Sequence, residues 1–123
     1  MKPDSVPGQV LDLALSGVII PLINKTIVEE YNDVLLRPKF GFPEFIVKDT
    51  LEEIKNHGIN VDAETLDIDL PDPKDRVFYE VVMEERKEKE AYLITGNIKH
   101  FPEKPFIVTP RQMLDIIIDY AID

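Results

Sequence analysis

Short apolar runs at positions 18–24 (VIIPLIN), 91–95 (AYLIT) and 105–109 (PFIVT) alternate along this chain with stretches of helical periodicity. A short run rich in β-branched residues reads as a strand covered on both faces, and Pro21 places the first of them near an edge or a bulge. Strands separated by helices are joined by crossovers, so the chain is held to a parallel arrangement. The expected fold class is therefore α/β, a three-layer α/β/α sandwich with a mainly parallel sheet.

The helices follow from spacing. Over 7–17, Val10, Leu11, Ala14 and Leu15 form one stripe that stops at Gly17. Over 25–40, Ile27, Val28, Tyr31, Val34 and Leu35 recur at helical intervals, and Pro38 ends the helix. After Pro43, Phe45, Ile46, Leu51 and Ile54 are expected to face inward, with Gly58 as the cap. Leu66, Ile68 and Leu70 alternate with Asp67 and Asp69, which predicts a strand ending at Pro71. A helix with a heavily charged tail is expected over 74–90, and another opens at Pro110, a favoured first-turn residue. The order after the first helix is βααβαββα. No strand precedes that helix, although a doubly wound fold usually begins with its central strand.

A length of 123 residues with 44% hydrophobic content fits one domain over 1–123. No run approaches the ~20 apolar residues of a membrane helix, and the N-terminus lacks signal-peptide features, so a cytoplasmic protein is expected. Cysteine is absent and the two histidines, His57 and His100, are far apart, which leaves oxygen ligands and hard cations as the metal chemistry open to this chain. Fourteen basic against twenty-four acidic residues give a net charge of −10. That argues against gripping phosphate backbones by charge alone, but an acidic pocket holding a divalent ion presents positive charge locally.

Chemistry-bearing residues concentrate at helix mouths and strand exits, where an open α/β sheet keeps its ligand crevice. Asp72 and Asp75 flank Lys74 just before the regular part of the 74–90 helix, which begins near Arg76. A cap explains one of them, and the like charge beside it favours a cation or a proton. Thr95, Gly96 and Asn97 follow the strand AYLI directly, one crossover later, where the two loops can meet. Glu30 lies between Ile27 and Val34, beside the apolar stripe, where a carboxylate is costly unless it is paired or bound to a metal. Lys99, His100, Lys104 and Arg111 are phosphate-contact candidates, with Arg37 and Lys39 as a second basic spot. Phe40, Phe42 and Phe45 offer an apolar surface for a dimer, or core packing.

The segments PGQVLDLALSG, TIVEEYNDVLLRPKF, PDPKDRVFYE, AYLITGNIKHFP and PFIVTPRQML together resemble the PIN-domain family, over about residues 7–114, in particular its branch of bacterial and archaeal toxin components. The resemblance implies a Rossmann-like sandwich and a ribonuclease whose clustered acids hold Mg2+ or Mn2+. It implies an RNA substrate and a cognate antitoxin protein as partners. Carried over by position, the catalytic residues are Glu30, Asp75 and Asn97, the metal ligands Glu30, Asp72 and Asp75, and the supporting residues Thr95 and Gly96. Asn97 stands where family members often have aspartate, so it is a neutral ligand at best. Family members also begin with a strand ending in Asp-Thr-Asn, and residues 2–8 read as the loop after such a strand. A late start, a truncation, or a sheet completed by another chain would each account for its absence, with weakened metal binding and little or no cleavage expected. A noncatalytic module of the same fold is the alternative function. A phosphoacceptor regulatory domain ranks last, because its aspartate and lysine pair has no convincing position.

Overall fold

The computed structural model describes residues 6–122. Five α-helices and four two-residue strands follow in the order α1 (Val6–Leu15), β1 (Leu22–Ile23), α2 (Lys25–Leu35), α3 (Glu44–His57), β2 (Ile59–Asn60), α4 (Arg76–Glu85), β3 (Leu93–Ile94), β4 (Ile107–Val108) and α5 (Pro110–Ile122). The α/β class and the parallel direction agree with the sequence: β1 runs parallel to β2, and β3 parallel to β4. Among the described residues the strands form two separate pairs, with no ladder joining them.

Three apolar clusters hold the elements together. Tyr79 and Val82 of α4 pack on Ala91, Leu93 and Ile107. Val47, Leu51 and Ile54 of α3 pack on Ile23 of β1, with Leu11 and Leu15 of α1 against them. Ile27 of α2 meets Val61 and Val81. Leu22 touches both the first and the third cluster, so β1 joins the two halves of the core.

Local chemistry sets the boundaries. Asn24 leaves β1 with an extended backbone and its side-chain oxygen accepts from the Ile27 amide at 2.9 Å, capping α2 directly after the strand. Asn24→Ala is expected to cost about 1 kcal/mol of stability, read from a denaturant midpoint. Gly58 is needed for space: a Cβ there would lie 2.9 Å from the carbonyl oxygens of Ile54 and Pro21. That close approach lets the Ile59 amide reach the Pro21 carbonyl at 3.0 Å and begin the β1–β2 pair. Gly58→Ala is therefore expected to destabilise by about 1–3 kcal/mol, and an unchanged melting temperature would contradict the packing argument.

Several sequence expectations are revised. The strand expected over 18–24 shrinks to β1, because the end of α1 captures the preceding backbone: the Val18 and Ile19 amides both donate to the Leu13 carbonyl. The alternation at 66–70 is real, with Leu66, Ile68 and Leu70 packed on the α4 cluster and Asp67 and Asp69 exposed, yet among the described residues the segment has no ladder partner. The Leu66 amide instead donates to a Glu80 carboxylate oxygen at 2.7 Å. The strand of that region is β2, earlier in the chain. Phe45 and Ile46 point outward, because the buried stripe of α3 runs through Val47, Leu51 and Ile54. Residues 6–8 of the supposed N-terminal loop belong to α1, and the rest of that loop lies outside the described residues.

The end of α5 is tied down by the Glu90 carboxylate, which accepts hydrogen bonds from the hydroxyls of Tyr92 and Tyr120. These bonds hold the Glu90 carboxyl below its usual value, push the Tyr92 hydroxyl from 10.0 up to about 12 and raise Tyr120. The raised tyrosine contributes stability that is present below pH 10.0 and lost as pH rises toward about 12. The lowered Glu90 contributes stability that is present above the ordinary carboxylate value and lost as pH falls through the depressed one. An ultraviolet titration should show Tyr92 ionising late, and Glu90→Gln should return it toward the ordinary tyrosine value.

Candidate functional site

The two loops singled out in the sequence do meet. Asp72 and Asp75 bracket a single 3-10 turn (Pro73–Asp75) that leads into α4. Asp72 is the capping residue: its carboxylate accepts from the Lys74 amide at 3.0 Å, and its carbonyl accepts from the Asp75 amide at 3.0 Å. Asp75, at the N-cap position of α4, makes no side-chain cap bond. Its half-buried carboxylate instead lies 3.4 Å from Nδ1 of His100.

His100 reaches Asp75 because of how the chain leaves β3. The Thr95 amide donates to the Val108 carbonyl at 2.9 Å, so the β3–β4 ladder continues to Thr95. The Thr95 hydroxyl then accepts from the Asn97 amide at 3.0 Å, which turns the backbone. A 3-10 turn (Ile98–His100) follows, closed by the His100 amide on the Asn97 carbonyl at 2.9 Å. Asn97 therefore starts the turn whose last residue contacts Asp75. Its side chain is exposed, without a hydrogen-bond partner among the described residues. Gly96 sits in open space, where a Cβ would meet nothing within 4 Å, so the strand exit does not require glycine.

Glu30 is half-buried on α2, and its carboxylate has no ion-pair or hydrogen-bond partner among the described residues. Helix α2 does pack against α4, through Tyr31 and Phe78 with ring centroids 5.8 Å apart, and burial raises the pKa of the Tyr31 hydroxyl. Among the described residues no group of three or more His, Asp or Glu side chains is placed to hold a metal ion. The donors fit a hard divalent cation in kind, since carboxylate and amide oxygens suit it, and fall short in number.

The sequence points to His100 only as a phosphate contact, and its pairing with Asp75 comes from the fold. The available signal was its position three residues after Asn97, one 3-10 turn along the same loop. Beside it, Lys99, Glu103 and Lys104 line an open hollow of about 300 Å³ with Ile98, Phe101, Pro102 and Ile107. Lys74, Arg76 and Arg111 are also exposed. On the opposite branch of the chain, Phe40 stacks on Phe42 at 5.7 Å under Lys39, and Phe42 packs into the α3 cluster. Phe45 is the most exposed of the three at 65%, and Phe40 is 40% exposed. No helix among the described residues is long and apolar enough to cross a membrane.

No curated protein and no solved structure matches the chain. The sequence pattern of one family, described as the PIN domain, matches residues 1–99, which covers α1 through β3 together with Asp72, Asp75, Thr95, Gly96 and Asn97. That span is well over half of the 123 residues, and the chain belongs to the PIN-domain family.

Proposed function

We propose that the chain is a metal-dependent ribonuclease of the PIN toxin type, cleaving RNA phosphodiesters with Mg2+ or Mn2+ in a catalytically weakened form. PIN domains are typically metal-dependent nucleases, and the observation that carries the reading is the contact between the Asp75 carboxylate and His100 on the Asn97 turn. A bound divalent ion in such a site supplies a low-pKa water and neutralises charge on the reacting phosphate. Asp75 would hold it, and Glu30, Asp72 and the Asn97 amide oxygen are the further oxygen donors of the proposal, which would have to draw closer than the fold places them to complete its shell. His100 keeps the Asp75 carboxylate turned toward the Asn97 loop. Lys99 and Lys104 offer cations to the RNA strand beside it.

The weakened form rests on two features. Asn97 contributes no charge, and no cluster of three acids assembles among the described residues. The parallel direction of both strand pairs favours the further proposal of a three-layer PIN sandwich. The two features of the weakened form favour, as a second reading, a noncatalytic PIN-fold module that binds a protein or RNA. A single 1–123 domain acting in the cytoplasm, restrained by a small antitoxin and paired with a second copy through the Phe45 face, completes the proposal.

The test is cleavage of single-stranded RNA by the purified chain with Mg2+ or Mn2+, with chelator, and with Asp75→Asn. Slow cleavage that chelator and Asp75→Asn both abolish supports the ribonuclease. RNA binding with no cleavage under any condition supports the noncatalytic module, and cleavage indifferent to Asp75→Asn contradicts the assignment of the site.

A further inference from the structure

We infer that the hollow on the connection from β3 to β4 is a pocket for one unstacked base of single-stranded RNA, and that Glu103 selects a base carrying an exocyclic amine. The inference deepens the ribonuclease reading, on whose RNA substrate it rests, and adds a base-reading site to it.

The backbone builds the pocket in advance. Two tight turns frame it: the Phe101 amide donates to the Ile98 carbonyl at 3.3 Å, and the Ile107 amide donates to the Lys104 carbonyl at 3.1 Å. Lys99 lies within the first turn and Lys104 opens the second, so the two cations reach the hollow from separate, hydrogen-bonded supports. The apolar lining is fixed from behind. Ile107 is 3% exposed and Phe101 packs on the α4 cluster, so neither is free to fill the space. A volume of about 300 Å³ stands at the small end of ligand sites, which suits one base and not a longer segment.

Charge marks the same segment. From Asn97 to Gln112 there are three basic residues and one acidic, in a chain whose acidic residues outnumber the basic by twenty-four to fourteen. A polyanion is repelled by most of this surface and met by cations here. His100, between Lys99 and Phe101, lies 3.4 Å from Asp75, so the hollow begins one residue along the chain from the proposed cleavage site. Single-stranded RNA has the matching chemistry: phosphates for the two lysines and a flat apolar base that leaves its stack to pack against side chains such as Phe101.

Glu103 decides which base enters. Among the described residues Lys99, Glu103 and Lys104 make no ion pair and no side-chain hydrogen bond, which leaves the carboxylate open to a ligand. Toward a phosphate it would only repel. A carboxylate accepts and does not donate, so it takes a hydrogen bond from the N4 amine of cytosine and disfavours uracil, whose O4 is itself an acceptor.

Fluorescence anisotropy of labelled hexacytidylate and hexauridylate, with the full chain in chelator, tests this apart from cleavage. Hexacytidylate should bind at least about tenfold more tightly than hexauridylate. Glu103→Ala should bring the two within about twofold, whereas Lys104→Ala should weaken both alike, keep the preference and flatten the salt dependence. Both side chains are exposed, and circular dichroism checks that the variants fold. Equal binding of the two oligomers by the unaltered chain would overturn the inference, and so would a preference that survives Glu103→Ala. Metal-dependent cleavage without RNA binding in chelator would overturn the pocket and leave the ribonuclease standing. Selective binding without cleavage would support the pocket and reject the ribonuclease, and absence of both would overturn both. An acidic, apolar peptide that binds through the same lysines while RNA does not would assign the hollow to a protein and overturn the inference.

Discussion

Replacing Ile27 with alanine is expected to lower the unfolding free energy by about 3–4 kcal/mol, because truncating a buried isoleucine removes transfer energy and leaves a cavity. Ile27 is 1% exposed and is the largest side chain in the described core to be completely enclosed. Its contacts with Val61 and Val81 join α2, the segment after β2 and α4, so neighbouring groups belong to three different segments and collapse poorly into the void. Ile27→Val should cost much less, about 0.5–1.5 kcal/mol. Denaturant unfolding of both variants measures the difference, and an Ile27→Ala loss below about 1 kcal/mol would mean that α2 is not packed as described.

The same contacts show what could be read from the sequence. The stripe through Val10, Leu11, Ala14 and Leu15, and the one through Ile27, Val28 and Tyr31, were legible because amphipathic spacing reports burial directly. The alternation of Leu66, Ile68 and Leu70 also reported burial correctly, but alternation does not encode a partner. The Leu66 amide found Glu80, on α4, in place of a neighbouring strand. Strand length was equally hidden, since the competition that shortened β1 comes from the end of α1 bonding to Val18 and Ile19. At the site, residue types and loop order indicated that the Asp75 and Asn97 loops could meet. The histidine that joins them was invisible as a partner, because a 3-10 turn set its direction.

Asp75→Asn is expected to weaken Mn2+ binding by at least about a hundredfold, more than the roughly 10–100-fold that loss of a supporting residue costs. Asparagine keeps the size of the side chain and removes the charge, and the mutation leaves the cap at Asp72 intact. His100→Ala removes only the residue 3.4 Å from that carboxylate, and should weaken binding by about tenfold while leaving the stoichiometry unchanged. Calorimetric titration of the three proteins, with circular dichroism to confirm folding, separates these outcomes. Equal affinities for the unaltered chain and Asp75→Asn would place any metal elsewhere on this acidic surface.

The proposed ribonuclease requires that Glu30 on α2, Asp75 before α4 and Asn97 after β3 serve one divalent ion. Paramagnetic broadening by Mn2+ at substoichiometric concentration measures proximity to the ion residue by residue. The account predicts that the resonances of Glu30, Asp75 and Asn97, with neighbouring Asp72, broaden together and before those elsewhere. Broadening centred on the charged 85–90 run, or at Asp75 with Glu30 untouched, would contradict it.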